Sequence, residues 1–377
     1  MSLDRQRNFG LDLMRAIAVS CVLFAHGLML AIPTWPGLLV EFVAFSVIGV
    51  ELFFVLSGFL IGQLLFPVLQ SQMSLRGFWL RRWFRTLPNY YLFLLINLVF
   101  YGCFFDLFPG SWRYVWFGQS LSSPSTSHFF SEAWSLAVEE WFYLLIPLLM
   151  LFLLRVGRNR GAVIPWSCAI LIIVLPIARL LYIGAYHPVW DAGLRKITLL
   201  RLDSLMWGVL FAYLKVRHAN FFALHARRFF VLAIVLLLPS LLYLYAVAPS
   251  VSANIPLDGV AGVLAALFFS VLPAGFACCL PLLQKLPGTP SERINRAINR
   301  ISVWSYSLYL IHLPLLYTLI LLFADRIRRQ PILIAIAALG WLVLALLLSA
   351  VNYRFFEKPT TNLRERWLVS RTNDHPL

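Results

Sequence analysis

Charged residues are scarce in this 377-residue chain: they make up 12% of it, whereas 61% of the residues are hydrophobic. The mean hydropathy is correspondingly high, at +0.81. A soluble protein of this size could not hide so much apolar surface from water. The scarcity of charge therefore excludes a soluble globular protein and predicts an all-α, polytopic membrane protein.

Cysteine is also sparse, and its spacing argues against the usual cysteine chemistry. The five cysteines form no CxxC pair, and all fall within apolar runs: Cys21, Cys103, Cys168, Cys278 and Cys279. We therefore expect them to pack in the interior rather than form disulfides or bind metal. No cluster of side chains has the spacing of a metal site, so no metal and no bound cofactor is expected.

The sequence shows no linker, no low-complexity stretch and no internal repeat of short period. Its first apolar run has no signal-peptide cleavage site, so we expect that run to be retained as a membrane span. The longest non-apolar piece between apolar runs, at about 109–133, is too short to fold as an enzyme on its own. We therefore predict a single transmembrane domain over residues 1–377, with any chemistry placed among its helices.

The apolar runs predict about ten transmembrane helices. They lie at about 11–31, 42–66, 88–108, 134–154, 162–183, 198–215, 229–247, 259–283, 301–323 and 331–351. Basic residues outnumber acidic ones by 31 to 16, which gives a net charge of +15. Most of them fall in alternate loops, from Arg5 and Arg7 to a basic tail over about 354–377, and such loops stay in the cytosol. Both termini are therefore predicted to be cytosolic. The charge is expected to face anionic membrane lipids rather than nucleic acid.

Arg15 and His26, in the first apolar run, are the most informative residues. They are eleven residues apart, about three helical turns, so both side chains share one face and lie about 16 Å apart along the axis. Asp12 lies one turn before Arg15. Each residue alone is also explained as a snorkelling arginine or a hydrogen-bonded core histidine. Ionisable groups at such depth are costly and usually functional, and the pair favours a catalytic histidine served by a charged ligand.

The segment FWLRRWFRTLPNYY, between the second and third spans, carries Arg81, Arg82 and Arg85. Guanidinium groups are well suited to phosphates, although a basic run beside a membrane commonly meets lipid headgroups instead. Upstream, Ser57 and Gly58 interrupt an aromatic run. They indicate either tight helix packing or a passage for a thin ligand.

Further polar residues lie inside the later apolar runs. Glu139 and Glu140 are adjacent on the fourth span, so only one of them can face the bundle interior. That carboxylate either orients an imidazole, binds a hydroxyl, or forms a buried ion pair with an arginine such as Arg201. Arg201 and Asp203 are two residues apart on the sixth span, so each needs a partner elsewhere. On the ninth span, a structural role is favoured for a second histidine, His312, over a catalytic one.

Taken in order, these motifs resemble the acyltransferase 3 family of bacterial membrane O-acyltransferases over nearly the whole chain. The matching stretches are GLDLMRAIAVSCVLFAH, with Arg15 and His26, then FFVLSGFL, RWFR before PNYY, WSLAVEEWFYLLIP, RLDSLMWG, SYSLYLIH and FFEKP. Trp141 stands where the family commonly has glutamine after the paired glutamates. The resemblance implies a member without the esterase-like domain that some relatives carry.

The resemblance also implies an activity: transfer of an acyl group, often acetyl, from acyl-CoA to a hydroxyl of an envelope glycan or a small molecule. The location would be the bacterial cytoplasmic (inner) membrane, with acyl-CoA as co-substrate. His26 would act as general base or carry the acyl group itself, and Glu139 would hold its tautomer. The candidates for donor binding are Arg15, Arg81, Arg82, Arg85, Ser57 and Gly58. The candidates for acceptor binding are Trp134, Arg201 and Asp203, and additional candidates are Asp12, Glu140, Tyr309 and His312.

Two other functions remain open on the sequence. A transporter or flippase for a lipid-linked glycan would also carry intramembrane charges and a positive cytosolic face, although such proteins more often show halves related by internal symmetry. The second is a membrane-embedded partner or sensor that catalyses no reaction. Transfer of label from acyl-CoA by the purified protein, and its loss in His26→Ala, distinguishes an enzyme from both.

Overall fold

A computed structural model describes residues 7–70, 72–104, 110–123, 129–157, 160–327 and 330–363 of the chain. Its α-helices are α1 (Phe9–Leu28), α2 (Leu39–Leu69), α3 (Leu75–Phe104), α4 (Ala133–Val156), α5 (Val163–Tyr186), α6 (Leu202–Arg217), α7 (Ala219–Leu224), α8 (Ala226–Ser252), α9 (Gly259–Leu283), α10 (Glu292–Ile327) and α11 (Pro331–Asn352). The predicted all-α class is confirmed. Arg5 and the distal part of the predicted basic tail, 364–377, lie outside the described residues.

The apolar runs become helices because a helix satisfies every backbone hydrogen bond within one segment, which lipid requires. Local signals set some of the ends. The side chain of Asn8 caps α1 by accepting a hydrogen bond from the backbone N–H of Leu11 at 3.1 Å. Pro331 opens α11, where its missing N–H costs nothing.

Nine helices in the described ranges are long and apolar enough to span a membrane, and the 16-residue α6 is not among them. The predicted span over 198–215 begins instead with a short 3-10 turn at Thr198–Arg201. Even so, α6 extends between two cavities. Lys196, just before α6, lines a cavity with His26, and Lys215, near its end, lines another cavity with Arg7.

The two ends of the described chain lie at the same end of the bundle, because Arg7 and Asn362 line one cavity. A chain that starts and finishes at one end crosses an even number of times. The nine long helices and α6 together number ten, which agrees with this even number and with the hydropathy pattern. We call the two ends of the bundle the Arg7 end and the His26 end; that the Arg7 end faces the cytosol stays a prediction.

Helices α2 and α6 pack closely at the centre of the bundle, and two glycines allow the approach. A Cβ added to Gly58 would lie 1.9 Å from the carbonyl oxygen of Leu205, and one added to Gly208 would lie 2.1 Å from that of Val55. Both positions therefore accept no side chain without separating the helices. This close contact supports the packing interpretation of Gly58. Its role in donor binding stays a prediction that the contact does not support.

We expect Gly58→Ala to destabilise the protein by about 1–3 kcal/mol, because overpacking at this contact forces the backbones apart. Gly340→Ala on α11 is the matched control, since nothing lies within 4 Å of its added Cβ and alanine favours helix over glycine. Thermal unfolding of the two variants in the same detergent measures the difference. Equal melting temperatures would contradict the close contact.

Candidate functional site

Three cavities follow one another along the bundle. The basal cavity, of about 690 Å³, lies at the Arg7 end. The middle cavity, of about 90 Å³, shares Arg15 and Arg85 with it. The histidine cavity, of about 300 Å³, contains His26 and shares Val50 and Tyr309 with the middle cavity. Arg15 and His26 therefore both face this interior series, as their spacing on α1 predicts.

His26 lies against His312 of α10. The Nδ1 atom of His26 is 3.2 Å from Nε2 of His312 and 2.9 Å from the carbonyl oxygen of Val22. The Nδ1 atom of His312 is 3.1 Å from the carbonyl oxygen of Leu308. His26 is partly exposed to the histidine cavity, whereas His312 is fully buried.

These contacts determine where the ring hydrogens sit. A carbonyl oxygen can only accept, so Nδ1 of each ring carries a hydrogen. The Nδ1–H of His26 then also meets the unprotonated Nε2 of His312. In the neutral imidazole the remaining nitrogen of His26, its Nε2, then keeps a lone pair, which is the state that a general base requires.

Glu139 does not make the contact with the imidazole that we expected. Its carboxylate accepts a hydrogen bond from the hydroxyl of Tyr143 at 2.6 Å and lines the middle cavity. Nδ1 of His26, which a carboxylate would hold, already contacts Val22 and His312. The expected role of Glu139 stays a prediction without a supporting contact. The side chain that meets Nδ1 comes instead from α10, which the spacing along α4 does not reveal.

The adjacent carboxylate, Glu140, points away from Glu139, as helical geometry predicts. Thr86 of α3 donates a hydrogen bond to it at 2.7 Å. Glu140 is buried and lines none of the three cavities. The position of Glu140 therefore does not support a role in the site.

Arg15 lies between the basal and middle cavities and is held by a small polar cluster. Its guanidinium is 3.1 Å from the hydroxyl of Ser302 and 3.4 Å from Asp12. Arg7 forms a shorter ion pair with Asp12, at 2.6 Å. Asp12 thus holds two arginines at the Arg7 end of the series.

The three arginines of α3 occupy different positions. Arg82 is buried and donates a hydrogen bond to the hydroxyl of Tyr143. Arg85 is exposed to the basal and middle cavities, and within the described residues no carboxylate forms an ion pair with it. Arg81 is exposed but lines none of the cavities. Of the three candidates, Arg85 is the one placed to meet a ligand with its charge available.

Ser57 belongs to the wall of the middle cavity through Tyr143. The two hydroxyl oxygens are 2.7 Å apart. The hydroxyl of Tyr143 also accepts from Arg82 and donates to Glu139. Four polar side chains from three helices are thereby joined beside the narrowest part of the series.

Arg201 and Asp203 do not line the acceptor side as we expected. Arg201 forms an ion pair with Glu51 of α2, and Asp203 forms a bidentate pair with Arg179 of α5 at 2.8 and 2.9 Å. All four side chains are buried, and neither Arg201 nor Asp203 lines any of the three cavities. The prediction that each needs its own partner is confirmed. Acceptor binding by Arg201 and Asp203 stays a prediction, and these buried pairs, which lie away from the three cavities, do not support it.

The charged residues of the histidine cavity come from the segment before α6. Asp191 is 2.8 Å from Nε of Arg195 and 2.6 Å from Nζ of Lys196. Burial alone would raise the pKa of Asp191, but the two cations outweigh it and lower this pKa to about 2. Asp191 is therefore ionised at neutral pH, and the three residues together carry one net positive charge.

Glu132, just before α4, lines the same cavity and is only 4% exposed. Its Oε1 atom has no hydrogen-bond partner among the described residues. Burial raises the pKa of Glu132 to about 8, so the carboxyl is mostly protonated at neutral pH. It adds a hydrogen-bonding group to the cavity without cancelling the positive charge.

Two candidates lie where the acceptor side was expected. Trp134 lines the histidine cavity, with the guanidinium of Arg195 5.1 Å from its ring centroid. Tyr309 lines the middle and histidine cavities, and its hydroxyl is 2.6 Å from that of Ser135. Within the described ranges, no group of three His, Cys, Asp or Glu side chains is arranged to hold a metal ion.

Four residues that line the histidine cavity were not predicted from the sequence: Glu132, Asp191, Arg195 and Lys196. All four lie outside the apolar runs, so a search for ionisable groups within spans passes over them. One signal was present: Arg195 and Lys196 are basic residues on the side of the membrane where few are expected. Asp191 also precedes Arg195 by four residues, which is typical of a local ion pair.

The structure thus defines a polytopic helical protein with three adjoining cavities along the bundle and a pair of histidines in contact at one of them. The sequence profile of the acyltransferase domain family matches residues 8–351. The chain belongs to this family, and the resemblance drawn from its motifs is confirmed. It is an integral membrane protein.

Three curated relatives are similar to part of the chain. The putative peptidoglycan O-acetyltransferase YrhL of Bacillus subtilis is 30% identical over 173 residues, which are 40% of this chain and 25% of that protein. The peptidoglycan O-acetyltransferase OatA of Listeria monocytogenes is 32% identical over 133 residues, 30% of this chain and 21% of the relative. O-acetyltransferase OatA of Staphylococcus aureus is 29% identical over 175 residues, 41% and 26% respectively. The chain therefore spans about a quarter of the length of these relatives. No solved structure matches it.

Proposed function

We propose that this protein is a membrane O-acyltransferase that moves an acyl group, acetyl in the first instance, from acyl-CoA at the Arg7 end to a glycan hydroxyl at the His26 end. The observation that carries the proposal is the position of His26: Val22 and His312 hold its Nδ1, and its ring lines a cavity that adjoins the middle cavity. Family membership supports acyl transfer, and the names of the relatives support acetyl as the group and a glycan as the acceptor.

The dimensions of the cavities suit acyl-CoA. The basal cavity has room for the nucleotide, and its arginines suit the phosphates. The middle cavity is too narrow for a nucleotide but admits a thin chain. The gap of about 16 Å between Arg15 and His26 is similar to the length of the pantetheine arm. The thioester would therefore reach the histidine cavity while the nucleotide stays at the Arg7 end.

The chemistry needs one proton acceptor. On the direct route, Nε2 of His26 takes the proton of the acceptor hydroxyl, whose oxygen forms the new ester bond as the thioester C–S bond breaks. The thiolate of coenzyme A then takes the proton from His26, so an ester and free coenzyme A leave. On the other route, Nε2 attacks the thioester carbonyl and takes the acyl group as the C–S bond breaks and the thiolate of coenzyme A leaves. The acceptor oxygen then forms the ester bond as the bond between the acyl group and Nε2 breaks, and the hydroxyl proton goes to the thiolate.

His312 acts in this scheme as a positioning residue. Replacing it with leucine removes one of the two acceptors of the Nδ1–H of His26 and leaves only the carbonyl of Val22. We therefore expect kcat to fall about tenfold, the effect of one hydrogen bond, with little change in KM for the donor. His312→Gln keeps an acceptor on the side chain and should recover part of kcat. A purely structural role would instead lower the amount of folded protein and leave the kcat of the purified fraction unchanged.

Arg85→Ala should raise KM for acyl-CoA more than it lowers kcat, because a phosphate contact made equally in the ground state and the transition state affects mainly binding. The expected rise is about tenfold or more, from loss of a charge-assisted contact. Arg81→Ala is the matched control: the same substitution, one helical turn away, at a residue outside the cavities. Equal effects of the two substitutions would contradict donor binding at the basal and middle cavities.

The proposed function as a whole is tested with purified full-length protein in nanodiscs, labelled acetyl-CoA and glycan oligosaccharides. We expect acetyl esters on the glycan and an equal amount of free coenzyme A. A protein that binds a glycan but releases no coenzyme A with any acceptor would instead support the transporter or flippase alternative.

A further inference from the structure

The histidine cavity contains more charge than proton transfer to a neutral hydroxyl needs. Besides two tyrosines, Tyr309 and Tyr317, its titratable and charged side chains are His26, Glu132, Asp191, Arg195 and Lys196. His26 has no hydrogen on its Nε2 and is neutral, and Glu132 is mostly protonated at neutral pH. Asp191 balances only one of the two cations. The cavity therefore presents one uncompensated positive charge beside the base.

From this lining we propose that the acceptor is an acidic sugar, one that carries a carboxylate or phosphate group close to the hydroxyl that becomes acylated. The inference rests on the proposed function and names its substrate class. A neutral sugar would leave the positive charge uncompensated in a partly buried cavity, whereas an anionic group would pair with it.

Arg195 and Lys196 divide this task. The guanidinium of Arg195 is held by Asp191, by the ring of Trp134 and by the hydroxyl of Ser46 at 3.4 Å. The ammonium group of Lys196 contacts Asp191 at 2.6 Å and has two further N–H donors, and its side chain is 28% exposed. Lys196 is therefore the cation that can turn towards a ligand, and Arg195 is the fixed one.

Glu132 supplies the second point of recognition. It is nine-tenths buried, it lines this cavity, and Oε1 has no partner within the described part of the chain. A buried carboxyl oxygen without a hydrogen bond is costly, and a ligand hydroxyl that pairs with Oε1 removes this cost. Lys196 and Glu132 would thus hold the anionic group and a hydroxyl of one sugar, while His26 takes the proton from another hydroxyl.

Binding to the full-length protein in nanodiscs tests the proposal without donor. The probes are a glucuronate-containing disaccharide, its carboxyl-reduced neutral counterpart and a hexose phosphate, titrated by calorimetry at low ionic strength, where charge contacts are least screened. We expect the acidic disaccharide to bind at least about tenfold more tightly than the neutral one, which corresponds to about 1.4 kcal/mol. Comparing it with the hexose phosphate shows whether carboxylate or phosphate is preferred.

Variants then place the preference at this cavity. Lys196→Gln should reduce the ratio between acidic and neutral disaccharide to near one. Arg113→Gln is the control, since Arg113 is an exposed cation between α3 and α4 that does not line the cavity. Glu132→Leu should weaken both disaccharides alike, whereas Glu132→Gln, which keeps hydrogen-bonding groups, should recover binding.

Two results would overturn the proposal: equal affinity of the wild type for the acidic and the neutral disaccharide, or no measurable binding of either acidic probe. The transfer assay separates this failure from failure of the proposed function. Acetyl transfer to neutral sugars as fast as to acidic ones overturns the substrate class alone. Tight binding of acidic sugars with no release of coenzyme A overturns the transferase and leaves the acidic ligand in place.

Discussion

Replacement of His26 by glutamine is expected to lower acyl transfer at least about 100-fold, because a positioned general base contributes about 10²- to 10⁴-fold to the rate. Glutamine fills much of the same space and can still hydrogen bond to Val22, but it has no ring nitrogen to take a proton. Affinity for acyl-CoA should change little, since the arginines that would bind its phosphates line the basal cavity, at the Arg7 end of the bundle. Steady-state rates at saturating donor, with donor binding measured in parallel, check both expectations.

His218→Gln is the matched control for this experiment. His218 is exposed in the link between α6 and α7 and lines none of the three cavities of the site. Its rate should equal that of the wild type. If His26→Gln also retained full transfer, the role of His26 would be excluded. Incubation with labelled acetyl-CoA without acceptor then separates the two routes: label that stays on wild-type protein but not on His26→Gln indicates an acyl carrier.

The second large effect concerns stability. Arg201→Leu should destabilise the protein by about 3–5 kcal/mol, because it leaves the carboxylate of Glu51 buried without its partner. Thermal unfolding in detergent should therefore show a large fall in the melting temperature. The affinity of the remaining folded protein for acceptor should be unchanged, since Arg201 does not line the histidine cavity.

The double variant Glu51→Leu/Arg201→Met provides the control. Replacing both members of a buried ion pair by apolar residues of similar size is often neutral or stabilising, so the double variant should recover most of the lost stability. It should also recover acyl transfer. If the double variant were fully stable but no longer bound the acceptor, Arg201 would be an acceptor-binding residue, which would contradict the geometry described above.

Features that depend on one helix alone could be predicted from the sequence. The periodicity of α1 places Arg15 and His26 on one face, and the same reasoning separates Glu139 from Glu140, because both follow from the rise and turn of a single helix. Hydropathy likewise predicts the ten crossings, including α6, although α6 itself is too short to meet a length criterion for a span.

Features that depend on how helices pack could not be predicted. The partner of His26 lies 286 residues away on α10, and that of Arg201 lies 150 residues away on α2. Which helices adjoin, and how each is rotated, is not encoded in the period of either one. Asp191 and Lys196 could not be predicted as residues of the histidine cavity for another reason. They lie between helices, where hydropathy carries no information about what they face.

The small volume of the middle cavity has a consequence for the membrane as a barrier. At about 90 Å³ it is the smallest of the three cavities. An enzyme that offers reactants a route from both sides risks becoming a leak for ions and protons. Here the chain that delivers the acyl group would itself plug the constriction during each turnover, and the polar side chains around Tyr143 leave little space for a continuous column of water at other times. An acyl group could then cross the bilayer while the gradients of ions and protons are kept.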